Sequence, residues 1–211
     1  MRSRAINWTV LAAISGLIWG CGGDDGDDPD NGGGGKCAIT ACGGDPVGDW
    51  KVDDVCVSDS QKVFASIVND PACATALKSS SDPTASGNYK LGNDNNAMST
   101  IVVSGTGMFS FNDACTKALG LGSTATTDCP KIEEAFKKEK GVKSATCSPA
   151  GANCDCTIAM DISLAGSSSY TKSGNELTVG GLKQPFCVEG GKTLELEMSS
   201  FGATLSFTMS K

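Results

Sequence analysis

The cysteines are the residues of this sequence with the widest chemistry, because they can ligate metals, act as nucleophiles or form disulfides. The chain of 211 residues has 11 cysteines and no histidine. Without histidine, Ser-His-Asp and Cys-His catalysis and histidine-ligated metal sites are excluded. Cysteines at this density are typical of proteins in an oxidising compartment, where they pair as disulfides. The odd count predicts that one cysteine has a separate role.

The acidic side chains could provide a second kind of chemistry. A pair of carboxylates can catalyse glycoside cleavage, and Glu195 and Glu197 lie two residues apart on a predicted strand. They share the face opposite Leu194 and Leu196, so we interpret them as solvated charges that discourage edge pairing. The sequence also has no Gly-x-Ser-x-Gly elbow and no phosphate-binding loop. We therefore predict no enzyme activity and no cofactor.

The charge balance bears on the possible partners. Lys and Arg number 17 against 24 Asp and Glu, a formal net charge of −7. An acidic chain without a basic cluster argues against nucleic-acid binding. We predict no nucleic-acid partner and a monomeric protein.

The N-terminal residues carry a targeting signal. Arg2 and Arg4 precede an apolar run over residues 6–19, with the charge and length of a signal peptide. The run ends in Leu17-Ile18-Trp19-Gly20-Cys21, which resembles the lipobox of bacterial lipoproteins. The resemblance implies that residues 1–20 are removed and that Cys21 is acylated. The other interpretation is an ordinary signal peptide, or a membrane anchor, with an incidental cysteine.

Residues 21–45 are predicted to be the lipidated cysteine and an acidic tether. Residues 22–35 read GGDDGDDPDNGGGG, a composition that cannot bury a core. A calcium loop is the alternative, but Ile39 stands where an EF-hand pattern would need Glu. Acyl chains on Cys21 would hold the protein on a membrane. Gly22 directly after Cys21 implies, by resemblance to bacterial lipoproteins, sorting to the outer membrane of the cell envelope.

Residues 46–211 are predicted to fold as one mainly β domain. Apolar and polar residues alternate over 158–164, 194–198 and 205–209, as in strands with one buried face. Short turns link the strands, so neighbours should be antiparallel. About ten short strands in meander order indicate a barrel or a sandwich. We also predict one short helix at about 128–140 and a second at about 58–68.

The first strand of this domain carries Gly48-Asp49-Trp50. Gly-x-Trp followed by an antiparallel meander resembles bacterial lipocalin-like domains, and the cysteine-rich pattern resembles secreted lipoproteins of myxobacteria and their relatives. The resemblance implies a lipocalin-like β-barrel in which Trp50 closes one end and an arginine near the last strand covers it. Without its signal peptide the chain has no arginine, so Lys183 or Lys211 would take that place.

The resemblance also implies a small apolar ligand inside the barrel. The candidate lining comprises Trp50, Tyr89, Ile158, Met160, Ile162, Leu164, Leu194, Leu196, Met198, Leu205 and Phe207. The same positions would equally make a filled core, since eight strands leave little interior space. Two interpretations therefore stay open. One is a lipid-anchored binding module, and the other is a non-catalytic structural or cell-surface interaction lipoprotein with a filled barrel.

Ten cysteines remain for the fold once Cys21 is assigned to the lipid. They are Cys37, Cys42, Cys56, Cys73, Cys115, Cys129, Cys147, Cys154, Cys156 and Cys187. Proximity along the chain favours pairing Cys37 with Cys42, Cys56 with Cys73, and Cys115 with Cys129, with two bridges among the last four. We expect Cys154 and Cys156 to point to opposite faces of a strand and to have different partners. The alternative is a thiolate metal site on Cys147, Cys154 and Cys156.

Overall fold

A computed structural model describes residues 37–68 and 70–211. The predicted signal peptide, Cys21 and most of the predicted tether lie outside the described residues. In chain order the strands are β1 (Gly48–Val57), β2 (Leu77–Ser80), β3 (Thr84–Ser86), β4 (Asn88–Leu91), β5 (Asn96–Ser99), β6 (Val102–Phe111), β7 (Val142–Ala150), β8 (Asn153–Ser163), β9 (Gly166–Ser173), β10 (Glu176–Val179), β11 (Leu182–Glu189), β12 (Thr193–Ser200) and β13 (Ala203–Ser210).

Eight of these strands form a closed antiparallel barrel, which confirms the predicted fold class. Its order is β1-β13-β12-β11-β10-β9-β5-β4, and pairing of β4 with β1 closes it. The run from β9 to β13 is a meander with short turns, as the turn residues predict. The barrel thus has no free edge along its wall.

The other five strands form a separate sheet, whereas the sequence predicted a single meander. Its order is β2-β6-β8-β7, and β3 also pairs with β6. Ser104-Gly105 is a dipeptide typical of turns, but Gly105 lies inside β6. A side chain at Gly105 would lie 2.3 Å from the ring of Phe64. Glycine is therefore placed there to let an aromatic ring pack on the strand, and the chain does not turn.

Three α-helices accompany the sheets in the described residues. The predicted helix at about 128–140 is present as α3 (Cys129–Phe136), and the one at about 58–68 as α1 (Ser60–Ala65). Asp59, not Ser58, caps α1, since its carboxylate accepts from the Lys62 amide at 3.1 Å. The third helix, α2 (Asp113–Ala118), was not predicted. Asn112 caps it, since its side chain accepts a hydrogen bond from the Cys115 amide at 2.9 Å. No helix of the described residues is long and apolar enough to cross a membrane.

Candidate functional site

The barrel interior is the first candidate site, and it contains most of the predicted lining. Six of the predicted residues belong to its buried core, namely Trp50, Tyr89, Leu194, Leu196, Leu205 and Phe207. Three more are partly buried and pack against that core, namely Ile162, Leu164 and Met198. The alternation of apolar residues therefore identified the inward faces of β12 and β13.

Ile158 and Met160 were predicted to line the barrel, and this prediction is wrong. Both lie on β8, which belongs to the second sheet, and both are buried in a second apolar core. Their strand partners are Gly107 and Gly105 of β6. Apolar and polar residues do alternate along β8, but its buried residues belong to two different cores. Ile162 packs against the barrel core, and Ile158 lies in the second core.

The described part of the barrel interior is filled with side chains. Eight inward residues have no solvent-accessible surface, namely Trp50, Leu177, Phe186, Leu194, Leu196, Leu205, Phe207 and Met209. A cavity wide enough for water would leave accessible area on the side chains that line it. The candidate lining omitted Leu177 and Phe186, and it omitted Met209 although Met209 lies on the buried face of the alternation over 205–209. Together these side chains occupy the space that a ligand would need.

One polar pair is buried within this apolar core. The Tyr89 hydroxyl donates to Oε1 of Gln184 at 3.3 Å. Burial raises the pKa of Tyr89 to about 12, and the nearby Tyr170 adds to the rise. The phenol therefore stays neutral and acts as a hydrogen-bond donor throughout the physiological range. The pair satisfies two buried polar groups and offers no ionised group for chemistry.

The buried Trp50 side chain contacts a backbone carbonyl and a lysine. The indole Nε1 donates to the carbonyl of Pro46 at 2.7 Å. Lys211 Nζ lies 4.3 Å from the centre of the Trp50 ring, and Lys211 is one of the two lysines expected there. Lys183 instead pairs with Glu176 at 3.1 Å. Gly48 has a φ of +153°, a conformation that other residues rarely adopt, which explains glycine at the first position of Gly-x-Trp.

Replacing Lys211 by methionine should lower the free energy of unfolding by about 0.5–1 kcal/mol, because an exposed cation–π contact is lost. Urea denaturation measures this change. Lys140→Met is the control, since it removes an exposed lysine charge between α3 and β7, outside the barrel strands. Equal effects of the two substitutions would contradict a specific contribution from the Trp50 contact.

Five disulfides join the ten cysteines of the described residues. They pair Cys37 with Cys56, Cys42 with Cys187, Cys73 with Cys115, Cys129 with Cys154, and Cys147 with Cys156. All three pairings predicted from proximity are wrong, since cysteines that are neighbours in the fold, and not along the chain, are joined. Cys147 and Cys156, for example, lie directly opposite each other on β7 and β8. The prediction of a disulfide-stapled domain is confirmed.

The three cysteines of the alternative metal site, Cys147, Cys154 and Cys156, do come together. Their sulfur atoms lie within 4.8 Å of one another. Each is bonded in a disulfide, however, and a disulfide sulfur is not the thiolate that binds zinc. Cys154 and Cys156 have different partners, as expected, but they share one buried face of β8. The expectation of opposite faces was wrong because residues two apart on a strand point the same way.

Asp128 holds the start of α3 and the loop before it. Its Oδ2 accepts from the amides of Ser123 at 3.0 Å and Thr124 at 3.2 Å, and its Oδ1 accepts from Lys131 Nζ at 2.5 Å. The bond from Lys131 is the largest of the causes that lower the pKa of Asp128, followed by the backbone amides. A side chain at Gly122 would overlap this carboxylate. The arrangement positions Cys129, the first residue of α3.

Replacing Asp128 by asparagine should make the unfolding free energy less dependent on pH below about pH 4. The folded-state pKa of Asp128 is below its unfolded value, so its stabilisation is present above the unfolded pKa and is lost as the pH falls through the folded one. Asparagine keeps an acceptor for the amides but removes the charge. Urea denaturation between pH 2.5 and 6 measures the difference. The control is Asp82→Asn, because Asp82 is an exposed carboxylate. If Asp128→Asn left the pH dependence of the unfolding free energy unchanged, this role of Asp128 would be contradicted.

A small apolar pocket lies outside the barrel, next to α1 and β2. Its volume is about 230 Å³, and it is lined by Ala65, Val68, Asp70, Pro71, Cys73, Ala74, Leu77 and Phe109. Pockets for drug-sized ligands are usually larger, about 300–1,000 Å³. Asp70 is its one charged group, and its carboxylate already accepts from the Ala72 amide at 2.8 Å. The pocket could hold a small apolar group but has no free polar anchor.

No protein-family model matches the chain, and no curated protein matches it either.

Proposed function

We propose that this protein is a lipid-anchored lipoprotein of the bacterial cell envelope whose domain is a non-catalytic structural or cell-surface interaction module. The observation that carries the choice between the two open interpretations is the filled barrel. A binding module needs an interior cavity, whereas an interaction module needs a rigid scaffold that presents an outer surface. Five disulfides supply such rigidity.

The anchor is proposed from the sequence. Cys21 follows a signal peptide with a lipobox, and acidic, glycine-rich residues separate it from the domain. This order suits a domain that is tethered to a membrane through acyl chains and held away from the headgroups. Gly22 supports sorting to the outer membrane. The membrane is therefore the one partner that we propose from the sequence.

Small-ligand binding remains the second candidate, with a different location. The pocket of about 230 Å³ beside α1 is apolar, so a compact apolar molecule would bind there and not inside the barrel. Its lining residues do not include any of the eleven positions proposed from the lipocalin resemblance. Binding that depends on Leu77 and not on Leu196 would favour this candidate.

Membrane fractionation of the full-length protein and of Cys21→Ser tests the anchor. The native protein should be in the membrane fraction with a mass raised by its acyl chains, and Cys21→Ser should lose the acyl chains. Cys42→Ser is the control, because it removes a cysteine of the fold and should leave the acylation intact. An acyl-free native protein, or acylation of Cys21→Ser, would contradict the proposal.

A displacement assay with fluorescent fatty acids and retinoids tests the filled barrel. The detergent-solubilised native protein should show no stoichiometric binding across the panel. Saturable binding that Leu196→Ala weakens would show that the barrel opens to a ligand, and the interaction module would have to be abandoned.

A further inference from the structure

Two disulfides of the second sheet lie side by side and form one four-sulfur cluster. We use this name for Cys129, Cys147, Cys154 and Cys156. Cys129 of α3 is bonded to Cys154 of β8, and Cys147 of β7 is bonded to Cys156 of β8. The sulfur atoms of Cys154 and Cys156 are 3.7 Å apart although they belong to different disulfides. A thiolate at either position would therefore be in contact with the neighbouring disulfide.

We propose that the four-sulfur cluster is a site of thiol–disulfide exchange whose substrate is an external thiol. Each exchange step is the attack of a thiolate on a disulfide sulfur. Two consecutive steps therefore require an accessible first sulfur and, for the second step, a thiolate held against another disulfide. The cluster provides both. Neither role depends on the lipid anchor or on the filled barrel.

Cys147 is the sulfur that an external thiol reaches first. Cys129, Cys154 and Cys156 are 1%, 0% and 2% exposed, whereas Cys147 is only half-buried and lies on β7, an edge strand of its sheet. The external thiolate forms a bond to Cys147 Sγ, and the bond between Cys147 and Cys156 breaks. The electron pair of that bond leaves on the Cys156 sulfur.

The Cys156 thiolate then attacks Cys154 Sγ, its neighbour at 3.7 Å. A bond forms between Cys154 and Cys156, the bond between Cys129 and Cys154 breaks, and the electron pair leaves on Cys129. The external thiolate is consumed and the Cys129 thiolate is formed, so the number of thiolates and the number of disulfides are unchanged. Residues two apart on a strand have Cα atoms about 6.7 Å apart, which is within the range that a disulfide spans.

The surroundings of the two sulfurs favour exchange in this direction. Cys129 is the first residue of α3, a helix of 8 residues, and the positive end of a helix stabilises a thiolate there. The nearby Asp128 carboxylate opposes this, but Lys131 and two amides engage it. Cys156 lies in an apolar core, where a thiolate is less stable and more nucleophilic. Exchange would release α3 from β8.

Brief partial reduction of the full chain by a phosphine, followed by alkylation and trypsin digestion, tests this proposal. The phosphine leaves Cys147 as a free thiol and so isolates the second step. Trypsin places Cys129 in peptide 118–131 and the other three cysteines in peptide 144–172. The native disulfide between Cys129 and Cys154 links the two peptides, and exchange unlinks them.

Exchange predicts a separate peptide 118–131 alkylated at Cys129, and a peptide 144–172 with one alkyl group on Cys147 and an internal disulfide. Its yield should grow with the delay between reduction and alkylation. Linked peptides with alkyl groups on Cys147 and Cys156 at every delay would overturn the proposal. So would a cluster that stays unlabelled while the other disulfides are reduced. Fully reduced molecules are recognised by three alkyl groups on peptide 144–172.

A pair of matched variants tests the same step without a reductant. Cys147→Ser leaves Cys156 as the free thiol, so the label should appear on Cys129. Cys156→Ser leaves Cys147 free, so the label should stay on Cys147 and the peptides should stay linked. The same labelling pattern in both variants would overturn the proposal. If either variant fails to fold, the measurement on the native chain still decides.

Discussion

Replacing Cys42 and Cys187 together by alanine is expected to lower the free energy of unfolding by about 5 kcal/mol. Their disulfide joins residues 145 positions apart, the longest loop of the five. In the chain-entropy account, closing a longer loop removes more freedom from the unfolded chain and so stabilises the fold more. Urea denaturation under non-reducing conditions measures the change.

The same disulfide also holds the start of the described chain to the barrel. The amides of Cys42 and Gly43 donate to the Phe186 carbonyl at 3.2 and 3.1 Å, and the Val188 amide donates to the Gly43 carbonyl at 2.8 Å. We expect these bonds to persist less often without the disulfide. Hydrogen exchange at Val188 should then be faster in the double variant than in the native protein.

The double replacement of Cys147 and Cys156 by alanine is the control for loop length. Their disulfide spans only 9 positions, so the same account predicts a loss of about 2.5 kcal/mol. Both double variants remove two sulfurs and one bridge, which leaves loop length as the main difference. A larger loss from the short loop than from the long one would contradict the entropic ranking.

The strands were predictable where one face of the strand is buried and the other is exposed to solvent. The alternation along β12 and β13, for example, identified residues of the barrel interior. The sequence could not separate the two sheets, because β6 and β8 alternate in the same way as barrel strands. What distinguishes them is contact with other elements, such as the ring of Phe64 against Gly105, and no local pattern encodes that contact.

The disulfide pairing was not predictable for a related reason. Proximity along the chain estimates which loops close most easily in the unfolded state, but strand register decides which sulfurs meet in the folded one. Cys147 meets Cys156 because the β7–β8 hairpin places them opposite each other. Cys42 meets Cys187 because Gly43 bridges to Cys187 beside β11. By contrast, a lysine on Trp50 was expected, since residues 5–211 contain no arginine, but the choice between Lys183 and Lys211 was left open.

Replacing Phe207 by alanine is the second large expected effect, with a loss of about 3–5 kcal/mol in the free energy of unfolding. Phe207 has no exposed surface and lies between Val55 of β1 and Leu196 of β12. Truncation would remove its apolar contacts and leave a cavity that the closed barrel cannot easily collapse. The loss should be large because the interior around the ring is filled.

The cavity also distinguishes a filled barrel from a ligand-binding one. An engineered apolar cavity can take up a benzene-sized molecule, so Phe207→Ala should gain thermal stability in saturating benzene while the native protein should not. Thr208→Ala, on the neighbouring half-buried position of β13, should lose little stability and gain nothing from benzene. If the native protein were stabilised as much as Phe207→Ala, the barrel would already contain space for a ligand. The choice of an interaction module over a binding module would then have to be reversed.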